Sequence, residues 1–182
     1  MWPLRIPRIG CILVLVCSLG GNNQAMGGDI DEVLNTRDDF KLCGELYTRL
    51  IKHYGKDIDL SKCKRKHQVV LLVWYATGII DNGGFQYLFE GKFKGDPHFL
   101  KTAAAFKAVK AKKCAKAAEE ALKLFPNSKP PADLEKRLTI YQSHRLAKRL
   151  AIDDKFFSES SKIPKLLAKY IRANRKKFTN VK

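Results

Sequence analysis

The chain has 182 residues, of which 45% are hydrophobic and 10% aromatic. A body of roughly 150 residues buries about 68 to 70% of its unfolded surface, so it needs neither a metal nor a disulfide to fold. The 12 glycines and 7 prolines are too few for collagen or for a low-complexity chain. The composition therefore indicates one ordinary globular domain.

The formal net charge of +17 is distributed unevenly. Residues 101–182 hold 22 Lys and Arg against 7 Asp and Glu, whereas residues 1–100 hold 13 against 11. A surface of this sign attracts nucleic acid, anionic lipid or acidic polymers. A solvated lysine-rich face that only maintains solubility is the alternative, and the charge does not distinguish the two.

The first 25 residues have the layout of a secretory signal peptide. Arg5 and Arg8 precede an apolar run over residues 10–19, and small residues follow as far as Ala25. A run of ten apolar residues is too short to span a bilayer about 30 Å thick. We predict cleavage between about residues 20 and 25. The mature domain, residues 29–182, is then exported to the periplasm or the exterior of a bacterial cell envelope.

Cysteine usage leaves two alternatives open. Cys11 and Cys17 leave with the leader, and Cys43, Cys63 and Cys114 remain in an oxidising compartment. A Cys43–Cys63 disulfide is the most economical pairing because the two residues flank one loop. Otherwise all three are small core side chains without a bond. The histidines show no ligand spacing with the cysteines, so we predict neither a metal site nor a cofactor.

Helical periodicity covers most of the body. Residues 38–54 form an amphipathic helix whose apolar side holds Phe40, Cys43, Tyr47, Leu50, Ile51 and Tyr54. A polar loop precedes residues 67–80, which are apolar almost all round and form the buried central element, as a helix or as a strand.

Four further helices are predicted after this element. Asp96 and Pro97 start a helix that continues to residue 110. Residues 112–125 form an amphipathic helix, residues 132–150 form another, and the last helix starts near Ser161 with Pro164 in its first turn. We therefore predict an all-α fold, a single compact bundle of about six to seven helices.

A glycine-rich corner lies between the central element and a short aromatic segment. Asn82, Gly83 and Gly84 readily adopt positive φ and can end a helix and turn the chain. The corner is then a bend whose aromatic residues belong to the core. Because glycines also admit a ligand, the second interpretation is a small binding site formed by Asp81, Asn82, Gly83, Gly84, Phe85, Gln86 and Tyr87.

The segment DNGGFQYLFE, residues 81–90, resembles the signature of the bacterial DNA-mimic protein family, an all-helical domain of unknown function. AEEALKLFP at 118–126, DDKFF at 153–157 and LLAKYIRANRKKF at 166–178 resemble further family segments, so residues 38–178 are covered. The family more often places Gln two residues after Phe, whereas Gln86 follows Phe85 directly.

The resemblance implies the fold but not mimicry of DNA. A DNA mimic presents carboxylates spaced like phosphates, and this chain has the opposite charge. The predicted basic face holds Lys107, Lys110, Lys112, Lys113, Lys116, Lys165, Lys169, Arg172 and Lys176.

The favoured function is a non-catalytic protein-interaction module of the cell envelope. It would use the corner or the basic face to bind a protein partner, expected to be acidic, and it would have no small-molecule substrate. One alternative is sequence-independent binding of nucleic acid or anionic lipid, since the aromatic residues lie on apolar faces and are not free to stack on bases. The other is a hydrolase-type enzyme at the corner, with Asp81 and either His67 or His98 as an acid–base pair.

Overall fold

The computed structural model describes residues 29–181, and within them all regular structure is helical. The eight α helices are α1 (Ile30–Asn35), α2 (Asp39–Tyr54), α3 (Arg65–Glu90), α4 (Leu100–Ala108), α5 (Lys112–Leu122), α6 (Leu134–Ser143), α7 (Leu146–Ser160) and α8 (Ile163–Ala173). The predicted leader lies outside the described residues. None of the described helices combines the length and the apolar composition that crossing a membrane requires.

Helix α3 is the centre of a single core, which confirms the all-helical, compact prediction. Its 26 residues include twelve that are buried, and α2, α4, α6, α7 and α8 all pack against it. The apolar segment from residue 67 to residue 80 is therefore a helix and not a strand. A helix that is hydrophobic nearly all round is stable only where neighbours cover its apolar sides, and these five helices cover the sides that hold the twelve buried residues.

The helix count exceeds the prediction because two elements were missed. Helix α1 was not anticipated, and the helix expected over residues 132–150 is in fact α6 followed by α7. The break falls at His144, whose backbone is extended and whose ring Nε2–H donates to the carbonyl of Leu124 at 2.6 Å. This side-chain bond ties the inter-helix turn to the end of α5.

The core-facing side of α2 differs from the predicted side at its first turn. Phe40 is 66% exposed, and its ring packs edge-on against Trp74 at the surface. Leu42 and Leu46 are fully buried instead, in line with Cys43 and Leu50.

Helix α4 begins at Leu100, later than the predicted start at Asp96 and Pro97. A turn containing Phe99 in the left-handed region, with φ 59°, intervenes. The carboxylate of Asp96 still caps the helix, since it accepts hydrogen bonds from the amides of Lys101 and Thr102 at 3.0 and 2.8 Å.

The three described cysteines are free and buried. Of the two alternatives, the structure therefore has three unbonded core side chains and not a Cys43–Cys63 disulfide. The thiol of Cys43 donates to the carbonyl of Pro164 at the start of α8, and the thiol of Cys63 donates to the carbonyl of Asp59. Each thiol is thus directed at the backbone of a different segment. Burial raises the pKa of Cys43 and of Cys114 to about 12, which keeps both unreactive.

Two arginines near the C-terminal end hold the first helices in place. Arg172 of α8 forms an ion pair with Asp39 at 2.6 Å and donates to the carbonyls of Thr36 and Arg37. Arg175 forms an ion pair with Asp31 of α1 at 2.8 Å. The beginning of the described chain is therefore fastened to its end.

A buried arginine on α6 closes the C-terminal end of α3. Arg137 is 1% exposed, and its guanidinium donates to the carbonyls of Phe89 at 2.6 Å and Gly91 at 2.9 Å. Its other nitrogen donates to the carbonyls of Pro131 and Ala132. The last carbonyls of a helix lack intrahelical partners and carry partial negative charge, so a cation there is bound by hydrogen bonds and by the helix dipole.

We predict that Arg137→Lys lowers the free energy of unfolding by about 3 kcal/mol. A single ammonium group cannot donate to all the carbonyls that the three guanidinium nitrogens reach in this buried site. Arg145→Lys at an exposed position is the control and should change it by less than about 0.5 kcal/mol. Urea denaturation monitored by circular dichroism measures both. Equal stability of the two variants would contradict a capping role for Arg137.

Candidate functional site

The glycine-rich corner is a kink within α3. Gly83 has φ −164° and ψ 24°, and Gly84 has φ 68° and ψ −168°, so only Gly84 adopts the left-handed side of the map. Asn82 remains helical and donates its side-chain amide to the carbonyl of Gly78 at 2.6 Å. Phe85 and Phe89 are buried beyond the kink, which confirms the bend, but Tyr87, which was also expected in the core, is 50% exposed.

A carboxylate from α7 fills the space that the kink opens. Asp153 lies so close to Gly84 that a Cβ atom there would stand 2.3 Å from its Oδ2. Its Oδ1 accepts the amide hydrogen of Phe85 at 2.9 Å, in a buried bond. Burial raises the pKa of Asp153, and this amide bond opposes the rise. Asp153 thus acts as the N-terminal cap of the second part of α3, supplied from another helix.

Arg149, one turn before Asp153, continues the connection between α7 and α3. It donates to Oε1 of Gln86 at 3.1 Å, and its guanidinium lies 5.2 Å from the ring centre of Tyr141. Gln86 in turn donates to Glu90 at 3.1 Å. The buried Nε of Arg149 has no hydrogen-bond partner among the described residues. These contacts fix the orientation of α7 against the kink.

Exposed apolar side chains occur on both of the connected helices. Leu146, Leu150 and Phe157 of α7 are all exposed, and at 100° per residue they lie on the same side of the helix as Asp153. Tyr87 is also exposed, and its ring covers Gly83. We call Tyr87, Leu146, Leu150 and Phe157 the corner patch.

The structure separates the predicted corner residues into two groups. Gly84 and Phe85 are buried and build the kink, whereas Asp81, Asn82 and Tyr87 are exposed at its surface. Gln86 is partly buried between Arg149 and Glu90. Although Asp81 is exposed as a residue, partial burial of its carboxyl group raises its pKa, and a hydrogen bond from Ser160 opposes the rise.

The predicted acid–base pair is not assembled. His67 lies in the first turn of α3 and Asp81 fourteen residues later, which places them roughly 21 Å apart along the axis. The ring of His67 is occupied on both sides, because Nε2–H donates to the carbonyl of Lys177 at 2.7 Å and Nδ1 accepts from the hydroxyl of Tyr54 at 2.8 Å. His98 donates to the carbonyl of Pro130 at 2.7 Å.

The structure brings together only part of the predicted basic face. Lys107, Lys110, Lys112 and Lys116 line one groove between α4 and α5. Lys113 is not among the groove residues, and it forms an ion pair with Glu159. The remaining members, Lys165, Lys169, Arg172 and Lys176, belong to α8 and the turn after it, where α8 packs on α2 and α3.

Sequence analysis missed the part of the site contributed by α7. Asp153 appeared only as a letter of the segment DDKFF, and Leu146 and Leu150 were assigned to a helix without a stated face. The spacing of Leu146, Leu150 and Phe157 is the signal that was available, since four-residue and seven-residue intervals place them in one stripe.

These features define an all-helical domain with a surface site at a kinked central helix. Residues 61–174 match the model of the DMP19-like protein family, so the chain belongs to that family. The match includes the kink, Arg137, Asp153 and the whole corner patch. No curated protein and no solved structure matches the chain.

We predict that Gly84→Ala lowers the free energy of unfolding by about 2 to 4 kcal/mol, because a side chain at φ 68° is strained and its Cβ would overlap Asp153. Gly78→Ala in the same helix is the control, since a Cβ there meets nothing within 4 Å. It should be stabilising by about 0.5 to 1 kcal/mol. Thermal and urea unfolding measure both, and a neutral Gly84→Ala would contradict this account of the kink.

Proposed function

We propose that this chain is a non-catalytic protein-binding domain, exported into a bacterial cell envelope, which binds an acidic partner protein at the corner patch. The single observation that carries the proposal is the stripe of exposed apolar side chains, Leu146, Leu150 and Phe157, on α7, the helix whose Asp153 caps the kink of α3. When a partner covers water-exposed apolar groups that share one helix face, the free energy of the system falls, which favours binding.

The rigidity of the patch supports this proposal. Asp153 holds α7 against Phe85, and Arg149 holds it against Gln86. A surface that is already ordered loses little conformational entropy when a partner binds, so more of the contact energy appears as affinity.

The charge around the patch indicates the chemistry of the partner. Arg145 and Lys148 in the first turn of α7 are exposed and form no ion pair within residues 29–181. An amphipathic helix that carries acidic residues beside its apolar ones would satisfy both the stripe and these cations. Membership of the DMP19-like family supports a binding role, while the net charge of +17 argues against imitation of DNA.

We expect Leu150→Ser to weaken capture of the partner by about tenfold, since a buried hot-spot leucine contributes roughly 1 to 2 kcal/mol to binding. Leu100→Ser is a matched control, because Leu100 is 48% exposed and Leu150 is 49% exposed, and Leu100 lies on α4. The measurement is quantitative affinity capture from envelope extract, followed by titration of the captured protein against each variant.

The control for this experiment is that both variants remain folded. Melting curves of the two variants should agree, because both substitutions are at exposed positions. Equal capture by wild type, Leu150→Ser and Leu100→Ser would show that the corner patch is not the binding surface. A captured partner without acidic residues at its contact would contradict the charge argument.

Export has a separate test. We expect mass spectrometry of the chain recovered from the periplasm or medium to find a new N-terminus, created by cleavage between about residues 20 and 25. A chain that starts at residue 29 behind an initiator methionine should remain in the cytoplasm. Recovery of the uncleaved chain from the cytoplasm would refute export and would leave the test of the corner patch unaffected.

A further inference from the structure

A groove of about 470 Å³ between α4 and α5 concentrates positive charge. None of its lining residues belongs to the corner patch. Ala115 lines it together with Glu119 and Glu120 and with Lys107, Lys110, Lys112, Lys116 and Lys123. We call this the lysine groove. Five of its eight lining residues are lysines, so its charge is positive even when both carboxylates are counted.

The two glutamates leave most of these lysines unpaired. Glu119 forms an ion pair with Lys107, and Glu120 forms one with Lys155 from α7. Within residues 29–181, no ion pair is formed by the other four groove lysines, which are Lys110, Lys112, Lys116 and Lys123. A concave surface with unpaired charges of one sign focuses the electrostatic field and raises the local concentration of counter-ions.

The arrangement is unfavourable for the isolated protein. Lys112 occupies the first turn of α5, where the helix dipole is positive, and that turn contains neither an acidic residue nor a side-chain cap. Its neighbour Lys113 is paired with Glu159 from α7, whereas Lys112 is not paired. Lys112 and Lys116 are like charges four residues apart, a spacing that destabilises a helix. Lys110 has φ 65°, in the left-handed region. An anion bound in the groove would relieve the repulsion among these lysines.

The shape and lining of the groove define the anion. Lys112, Lys116 and Lys123 extend along α5 over about 16 Å, so an elongated ligand contacts more of them than a compact one does. The lining residues include no aromatic side chain for stacking on bases and no arginine for bidentate recognition. A flat lipid surface reaches only the rim of a concave groove. The ligand is therefore recognised by a regular row of charges alone.

We propose that the lysine groove binds linear polyphosphate, an unbranched chain of phosphate groups without bases. A phosphate polymer carries a negative charge at every repeat, about one per 3.4 Å in a nucleic-acid strand. An extended protein segment reaches a similar density, one charge per roughly 3.5 Å, only where every residue is acidic. Lysine ammonium groups bind phosphate as point charges, which suits a ligand without fixed orientation.

The test measures binding of inorganic polyphosphate to the mature chain at about 50 and 200 mM salt. The groove variant replaces Lys110, Lys112, Lys116 and Lys123 with Gln. The control variant replaces Lys165, Lys169, Lys176 and Lys177 with Gln, so it loses the same charge from exposed positions on and after α8. We expect the groove variant to bind at least about tenfold more weakly than the control, and its dependence of log K on log salt to be shallower by about 3.

Each other outcome of this test is decisive. Equal losses in the two variants would overturn the proposal, because net charge alone would then explain binding. Groove-dependent binding of oligo(dT) or poly-Glu that exceeds binding of polyphosphate would also overturn it, and would assign the groove to nucleic acid or to an acidic protein. Melting curves check that both variants fold. Leu150→Ser should bind polyphosphate like wild type, so this proposal and the proposed function fail separately.

Discussion

The hydrogen bond from the amide of Phe85 to the carboxylate of Asp153 is the contact on which the rest of the structure depends. The kink at Gly84 separates a short second part of α3 from the long first part, and a helix of so few residues is not stable alone. Asp153 caps its beginning, and Arg137 caps its end through the carbonyls of Phe89 and Gly91. Both caps come from the neighbouring helices α6 and α7, so tertiary contacts provide the capping groups that the local sequence of α3 does not contain.

This capping connects the core with the surface. Phe85 and Phe89 occupy the core because the kink redirects the helix, and Asp153 enters the kink because Gly84 has no side chain. On α7, the helix that supplies Asp153, Leu146 and Leu150 remain exposed. The position of the proposed binding surface on α7 therefore depends on the same hydrogen bonds that cap the second part of α3.

Sequence reasoning predicted the parts of this structure that are local in the chain. The helical periods of α2, α5 and α8, the buried character of α3 and the bend at the glycines were all readable, because each depends on residues a few positions apart. The break at His144 could not be predicted in this way, since it depends on a hydrogen bond to Leu124 on another segment. Arg137 and Asp153 were missed for the same reason: a charged side chain in a helical pattern is usually at the surface, and only the folded chain shows which carbonyls or amide it meets.

The ion pairs of Arg172 with Asp39 and of Arg175 with Asp31 have a consequence for the order of events in biosynthesis. The ribosome makes α1 and α2 before Arg172 and Arg175, so these ion pairs form only after residue 175 has been synthesised. Until then Asp31 and Asp39 lack these cationic partners, so α1 and α2 reach their final position against α8 late in synthesis.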